Sequence, residues 1–225
     1  MKVLFLFFSL FLTSTFYCTE TTILLFRHGE TDANKYKIVQ GHLDYPLNEI
    51  GLQQAKALAY ELSQKHPDIA AIYSSDLERA YHTAKETANV LLLPVQTKTS
   101  LREMSYGIAE GMVFDDFFNR YTASFEDLNK QYPIRQERWD HTNIPKSETR
   151  NQLLERVKEE LIRIAENHSG EKIAVFSHGG SICTFLIDVL GSSQESPRLS
   201  NCNGVMTIYK DGIFNFIKEE NLLNN

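Results

Sequence analysis

The sequence has few cysteines, no excess of positive charge and no apolar stretch long enough to span a membrane. Only Cys18, Cys183 and Cys202 occur in 225 residues, so neither a disulfide framework nor a metal cluster can be read from their spacing. Two buried thiols at Cys183 and Cys202 are favoured over a disulfide, which an oxidising compartment would allow. The net charge of −6 argues against a broad nucleic-acid-binding face but not against a small basic pocket.

The first residues have the layout of a secretory signal peptide. Lys2 precedes an apolar run over residues 3–12, and small or polar residues follow it. This run is too short for a bilayer span, which needs about 20 residues. No A-x-A-like cleavage pair occurs in residues 13–19. Residues 1–18 are therefore predicted to be an export signal, which leaves a periplasmic or secreted protein with no stable membrane span. An uncleaved anchor, or a mis-assigned start before a cytoplasmic protein, is the alternative.

After this leader, β-rich apolar runs alternate with segments of helical periodicity. Strands are predicted at residues 21–26, 69–75, 95–98, 172–177, 204–210 and 213–219, the last two joined by the hairpin signal Asp211-Gly212. Helices are predicted at residues 48–66, 77–93, 147–167 and 178–191. The alternation predicts an α/β fold of three layers, with a mainly parallel central sheet and helices on both faces.

Residues 104–146 break this alternation. Helical periodicity is present near residues 113–130 and fades towards Pro133 and Pro145. The segment is rich in aromatic residues, namely Tyr106, Phe114, Phe117, Phe118, Tyr121, Phe125, Tyr132 and Trp139. With no repeat or linker elsewhere, residues 19–225 are predicted to be a single domain with a small helical cap inserted at about 104–146.

Charged side chains follow three of the predicted parallel strands. Arg27 and His28 follow the first strand directly, Arg79 lies just beyond the second, and His178 follows the strand at 172–177. Ligands of such sheets bind beyond the carboxyl ends of the strands. Guanidinium groups bind phosphate in a fork, and a neutral imidazole can attack a clamped phosphorus without a cofactor. Each residue alone is more often structural, but their shared position favours phosphoryl chemistry, with a nearby carboxylic acid protonating the leaving group.

These residues lie in motifs that resemble those of the histidine phosphatase superfamily, the phosphoglycerate mutase-like proteins. The stretch "FRHGETDAN" at residues 26–34 is similar to the signature of that family. Further motifs match in order across nearly the whole mature chain: "QGHLDYPLNEIGLQQA", "SSDLERAYHTA", "LREMSYGIAEG", "FSHGG" and "SNCNG".

The resemblance implies a role for each matched residue. His28 would be the nucleophile that becomes phosphohistidine, and Glu103 would protonate the leaving oxygen and then activate water. The residues implied in substrate binding are Arg27, Arg79 and His178 around the phosphoryl group, Asn34 beside them, and Gln40 and Gly41 at the pocket mouth. No metal or cofactor is implied. His42, His66, His141 and His168 match no motif position and are expected to be non-catalytic.

Two departures from the family pattern bear on function. Mutases of the family usually read Leu-Asn-Glu-Arg-His-Tyr-Gly at the acid motif, whereas Met104 and Ser105 stand here in place of the Arg-His pair. Ser147 replaces the glycine of a Gly-Glu-Ser motif, although the spacing from Glu148 to Arg156 is kept. The second departure bears on ligand contact by that loop, whereas the missing Arg-His pair favours hydrolysis of small phosphorylated metabolites. A mutase-type phosphoryl transfer is the alternative, and a protein that only binds such ligands is a third.

Overall fold

The computed structural model describes residues 20–134, 137–191 and 199–217, so the predicted export signal lies outside the described residues. Six strands form one sheet, and their bounds are β1 Thr21–Arg27, β2 Ile69–Ser74, β3 Val95–Thr97, β4 Lys172–Ser177, β5 Gly204–Lys210 and β6 Ile213–Ile217. The strand order across the sheet is β3-β2-β4-β1-β5-β6. The first four strands pair in parallel, and β5 and β6 are added antiparallel. The predicted mainly parallel sheet is thereby confirmed.

Helices cover both faces of this sheet. Their bounds are α1 Asp32–Lys35, α2 Glu49–Lys65, α3 Glu78–Leu91, α4 Phe114–Gln131, α5 Arg150–Asn167 and α6 Gly179–Leu190. Successive side chains of a strand point to opposite faces. Accordingly, Ile23 and Leu25 of β1 pack with α5 and α6, whereas Leu24 and Phe26 pack with α2 and α3. This arrangement is the predicted three-layer α/β fold.

Helix α4 lies in the segment that the sequence sets apart as a cap. It buries Phe117 and Tyr121 in a cluster with Val39, Ala109 and Ile144, separate from the clusters on the two sheet faces. The predicted domain limits, residues 19–225, extend beyond the described residues at both ends. Within the described ranges, no helix has both the length and the apolar character needed to cross a membrane.

Two helices begin where periodicity does not place them. Helix α1 falls in a predicted loop, because polar capping alone closes it: Thr31 and Asn34 bond each other's backbone N–H groups. Helix α5 begins at Arg150, three residues later than predicted, since Thr149 and not Ser147 is the N-cap. The hydroxyl of Ser147 instead bonds Thr142, 2.6 Å away in the preceding loop.

The two described cysteines are not joined by a disulfide. Cys202 is buried and Cys183 is half-buried, so the expectation of two buried thiols holds for Cys202 only. Burial raises the pKa of the Cys202 thiol to about 12. Cys202 is therefore a neutral thiol packed under the end of β1.

Candidate active site

The two matched histidines meet because β1 and β4 are parallel neighbours in register. Arg27 at the end of β1 is aligned with Ser177 at the end of β4. The next residues, His28 and His178, therefore stand side by side, with ring centroids 5.2 Å apart. Strand β2 ends one strand further along, and the helix that follows it carries Arg79. Three strand ends thus bring these side chains to one edge of the sheet.

His28 is held in one tautomer and in its neutral form. Its side chain is buried, and its Nδ1 lies 2.7 Å from the carbonyl oxygen of Gly29. A carbonyl only accepts hydrogen bonds, so Nδ1 carries the proton and Nε2 keeps its lone pair. Burial and the charges of Arg79 and Arg27 lower the pKa of His28 well below its ordinary value. His28 therefore presents a neutral Nε2 with the character of a nucleophile.

Arg79 and Arg27 supply positive charge on either side of this histidine. Arg79 is completely buried, and its two terminal nitrogens donate to the carbonyls of Leu43 and Gly41 at 3.0 and 2.8 Å. Arg27 donates to the carbonyl of Leu199 at 2.8 Å. The Nε atoms of both arginines are buried without a hydrogen-bond partner among the described residues. Burial lowers the pKa of both guanidinium groups, and the negative charge of Glu103 partly offsets this lowering. Two arginines at one edge of the sheet are suited to stabilising an anion.

His178 lies directly beside His28 and is fully buried. Neither of its ring nitrogens has a hydrogen-bond partner within the described part of the chain. Burial, followed by the charge of Arg79, lowers the pKa of His178 well below its ordinary value. A neutral imidazole carries one N–H, so His178 has an unused donor at the sheet edge.

Glu103 stands across the site on the loop that follows β3. Its Oε1 accepts from the Met104 N–H at 2.8 Å and from the Ser181 hydroxyl at 3.3 Å. Its Oε2 accepts from the Gly180 N–H at 2.9 Å, in the first turn of α6. Because these three donors bond both of its oxygens, the direction of the carboxyl group is fixed.

The backbone that carries Glu103 is held by residues to which the sequence assigns no site role. Arg156 of α5 donates to the carbonyls of Ser100, Arg102 and Glu103, each at 2.8 Å. Its Nε and Nη2 also pair with Glu148 at 2.6 and 2.8 Å. The preserved spacing of Glu148 and Arg156 was the signal of this link.

His42, which matches no family motif, also contacts this loop. Its Nε2 lies 2.8 Å from the carbonyl oxygen of Glu103 and donates to it. The contact is to backbone, in keeping with a structural role. His42, which precedes the loop in the sequence, and Arg156, which follows it, therefore both bond the carbonyl oxygen of Glu103.

The three remaining matched residues shape the entrance. The Thr31 hydroxyl lies 3.0 Å from Oδ1 of Asn34 and 3.1 Å from Oε1 of Gln40, which ties the two amides together. Gly41 has a φ of +54°, and a Cβ there would lie 2.3 Å from an oxygen of Glu110. Only glycine fits this position, where its carbonyl also receives the Arg79 bond.

These side chains open into a cavity of about 710 Å³. The matched residues in its wall are Arg27, His28, Asn34, Gln40, Gly41, Arg79 and Glu103. His178, whose ring centroid lies 5.2 Å from that of His28, is not among the lining residues. The rest of the wall includes six aromatic residues, Tyr106, Phe114, Phe117, Phe118, Phe125 and Trp139, together with aliphatic and polar side chains. Arg138 and Arg150, which no motif marks, also face the cavity. In the described ranges, no three His, Cys, Asp or Glu side chains are grouped to hold a metal ion.

Comparison with known proteins places this site in a family. The model of the histidine phosphatase superfamily (branch 1) matches residues 23–216. The chain belongs to the histidine phosphatase superfamily. The match includes most or all of each of the six strands and every residue that lines the cavity.

Some relatives within this superfamily are named as phosphoglycerate mutases or mutase-like proteins, and others as phosphatases. Phosphoglycerate mutase-like protein 4 of Arabidopsis thaliana is 38% identical over 181 residues, which are 80% of this chain and 75% of that protein. The metal-independent phosphoserine phosphatase of Arabidopsis thaliana is 32% identical over 186 residues, covering 80% and 73%. The crystal structure of a phosphoglycerate mutase from Bacillus anthracis str. Sterne matches with a TM-score of 0.78 and 28% identity, over 89% of this chain and 92% of that one.

Proposed function

We propose that the protein hydrolyses phosphomonoesters through a phosphohistidine formed on Nε2 of His28. The observation that carries this proposal is the neutral, oriented imidazole of His28, which shares a cavity with the buried Arg79, the half-buried Arg27 and the carboxyl group of Glu103. Arginines that neutralise the three non-bridging oxygens make phosphorus accessible to such a nucleophile. The superfamily supports a phosphatase, and the matched residues supply each group that the reaction needs.

The reaction has two phosphoryl transfers. In the first, Nε2 of His28 bonds to phosphorus as the ester P–O bond breaks, and Glu103 in its acid form gives its proton to the leaving oxygen. In the second, the Glu103 carboxylate takes a proton from water while the water oxygen attacks the phosphohistidine. Inorganic phosphate leaves, and His28 and Glu103 return to their starting forms.

Hydrolysis is favoured over transfer between two hydroxyl groups. Met104 and Ser105 follow the acid, where mutases of the family usually carry Arg and His. Met104 contributes its backbone N–H to Glu103 and lines the cavity with an apolar side chain. A second hydroxyl acceptor therefore lacks the basic pair that would hold it, and water is the simpler acceptor. The relative named as a metal-independent phosphoserine phosphatase agrees with this choice.

A pair of variants tests this mechanism. The His28→Ala variant should form no alkali-stable phosphoprotein and release no phosphate from p-nitrophenyl phosphate, with or without EDTA. The Glu103→Gln variant should still label but turn over slowly, most of all for poor leaving groups. Wild-type rates in the His28 variant would exclude the phosphohistidine. Activity confined to 3-phosphoglycerate with a bisphosphate primer would favour the mutase, and no labelling of wild type would favour simple binding.

We also propose that residues 1–18 direct export, on the ground of Lys2 and the apolar run that follows it. Outside the cytoplasm, the enzyme would release phosphate from small esters for uptake. Mass spectrometry of the mature amino terminus tests this, because an intact Met1 on a cytoplasmic protein would contradict it.

A further inference from the structure

The cavity holds more positive charge than a single phosphoryl group requires. Among the described residues that line it, four arginines, Arg27, Arg79, Arg138 and Arg150, face one carboxylate, Glu103. The chain as a whole carries a net charge of −6, so this excess of positive charge is local to the cavity. Arg27 and Arg79 flank His28, whereas Arg138 and Arg150 belong to the aromatic part of the wall. The cavity wall therefore carries two arginines in addition to the pair whose charges act on His28.

Arg150 is the better placed of the two additional arginines. Its Nη1 donates to the hydroxyl of Thr184 at 3.1 Å, and its guanidinium carbon lies 5.8 Å from the ring centroid of Trp139. The buried Trp139 ring and this bond hold the group in place, and its other N–H groups have no hydrogen-bond partner among the residues that the structure describes. No carboxylate of the described residues lies within ion-pair distance of it.

Arg138 is engaged differently. Its Nη1 donates to the carbonyls of Tyr132 and Pro133 at 2.9 and 3.0 Å, which fixes the turn after α4. Its guanidinium therefore stabilises the backbone of the cap segment. This contrast makes Arg150, at the start of a long helix, the candidate for ligand recognition.

Tyr106 connects Arg150 with the reacting groups. Burial raises the pKa of this phenol, the charge of Glu103 raises it further, and the charge of Arg150 lowers it. Both charges therefore act on one hydroxyl that itself lines the cavity. Glu103, Tyr106 and Arg150 also line the same cavity, so one ligand can contact all three residues.

We propose that Arg150 binds a second anionic group, a carboxylate or a phosphate, on the alcohol part of the substrate. The natural substrate is then a phosphomonoester with an apolar middle that packs on the aromatic wall and an anion at its far end. This inference rests on the proposed hydrolase function. It identifies a specificity-determining residue, because an arginine fork binds planar or tetrahedral oxyanions with two parallel hydrogen bonds.

Matched synthetic esters test the proposal. We would compare 3-(4-phosphonooxyphenyl)propanoate with its propanamide, since the two-carbon spacer leaves the acidity of the phenol leaving group the same. The corresponding ethylphosphonate separates a preference for carboxylate from one for a second phosphoryl group. A charge-assisted bond to Arg150 should give the acid a kcat/KM about tenfold to a hundredfold above that of the amide.

Three variants connect this preference with Arg150. Arg150→Gln should reduce the acid-to-amide ratio to about one, and Arg150→Lys should restore part of it. Arg163→Gln, on the exposed face of the same helix and away from the cavity, should keep the wild-type ratio. Melting curves of each variant establish that it is folded.

Each outcome decides a different point. An equal kcat/KM for all three esters in the wild type, or an unchanged ratio in Arg150→Gln, overturns the role of Arg150 while leaving the hydrolase intact. A preference for the phosphonate alone restricts the second group to phosphate, and a preference for the propanoate alone restricts it to carboxylate. Turnover of none of the esters, with no phosphohistidine, overturns the proposed function itself.

Discussion

Replacing Gly180 with alanine tests the proposed role of Glu103 without removing any ionisable group. The Gly180 N–H donates to Oε2 of Glu103 at 2.9 Å. A Cβ added at Gly180 would lie only 2.4 Å from Oε1 and 3.1 Å from the carboxyl carbon of the same side chain. Both neighbours belong to one carboxyl group, so the substitution acts on Glu103 directly.

The size of the effect follows from these distances. Ordinary contact with a Cβ begins at 3.4 Å, so Oε1 must retreat by about 1 Å from its position in the wild type. A misplacement of about 1 Å in a catalytic group can cost on the order of 100-fold in rate. Alanine is also the better helix former by up to about 1 kcal/mol, so the fold should not lose stability. We therefore expect about a 100-fold loss of activity in a protein that melts no lower than the wild type.

The assay is the dependence of kcat/KM on the leaving group. This parameter reports the transfer to His28 and not the later hydrolysis of the phosphoenzyme, as long as that transfer is irreversible. Phenyl phosphate, whose leaving oxygen needs a proton, should suffer the full loss. p-Nitrophenyl phosphate needs less protonation and should lose much less. The ratio of the two rates is the quantity to measure.

Gly179→Ala is the matched control for this experiment. It adds the same methyl group one residue earlier, where the nearest atom is Nε of Arg27 at 3.3 Å. A shift of a few tenths of an ångström accommodates it, so a small loss that does not depend on the leaving group is expected. If Gly180→Ala is folded and its loss is equal for both esters, Glu103 is not the proton donor.

Two further predictions concern Arg79 and Arg156. Arg79→Met removes one of the charges that lower the pKa of His28, so the pKa rises and the acid limb of the pH profile of kcat/KM moves to higher pH. Loss of the proposed contact between Arg79 and the phosphoryl group should also reduce kcat/KM by about 100-fold or more. An unmoved acid limb in pH–rate measurements would contradict the electrostatic account. Arg156→Met, outside the cavity, should reduce the free energy of unfolding by about 1.5–3 kcal/mol in urea titrations and lower activity most on poor leaving groups, since it frees the loop of Glu103. Full activity in this variant would show that the loop needs no such anchor.

Apolar runs and strand ends predicted the scaffold and the position of the site. Strands buried on both faces have sequences such as "ILLF" and "IAVF", which short-range patterns recognise. Because parallel strands end at one edge, the residues after them had to meet there, as His28 and His178 do. Their roles in the reaction stay predictions for the variants above to test.

Short-range patterns could not predict features that depend on contacts across the chain. The bonds from Arg156 to the loop at 100–103 join residues more than fifty positions apart, and only their motif spacing gave a signal. Helix α1 has too few residues for periodicity and is closed by Thr31 and Asn34. The direction of Arg150 depends on how Trp139 and Thr184 pack around it, so its place in the cavity emerges only from the fold.

The proposed catalytic residues and the proposed specificity-determining residue lie on different parts of the fold. His28 and Arg27 stand at the end of a strand paired on both sides, so the reacting groups are fixed by the sheet itself. The aromatic wall comes from α4 and the loops beside it. This part of the chain contacts the rest of the domain through fewer elements than β1 does. Two of its contacts are with α5, where Asn151 bonds Asp140 and Arg150 lies over Trp139. Substitutions in that wall can therefore change which alcohol is accepted while the phosphoryl site keeps its geometry. For this reason, substitutions of Arg150 and Trp139 should change substrate selectivity. Substitutions of Glu103 and Gly180 should instead change how the rate depends on the leaving group.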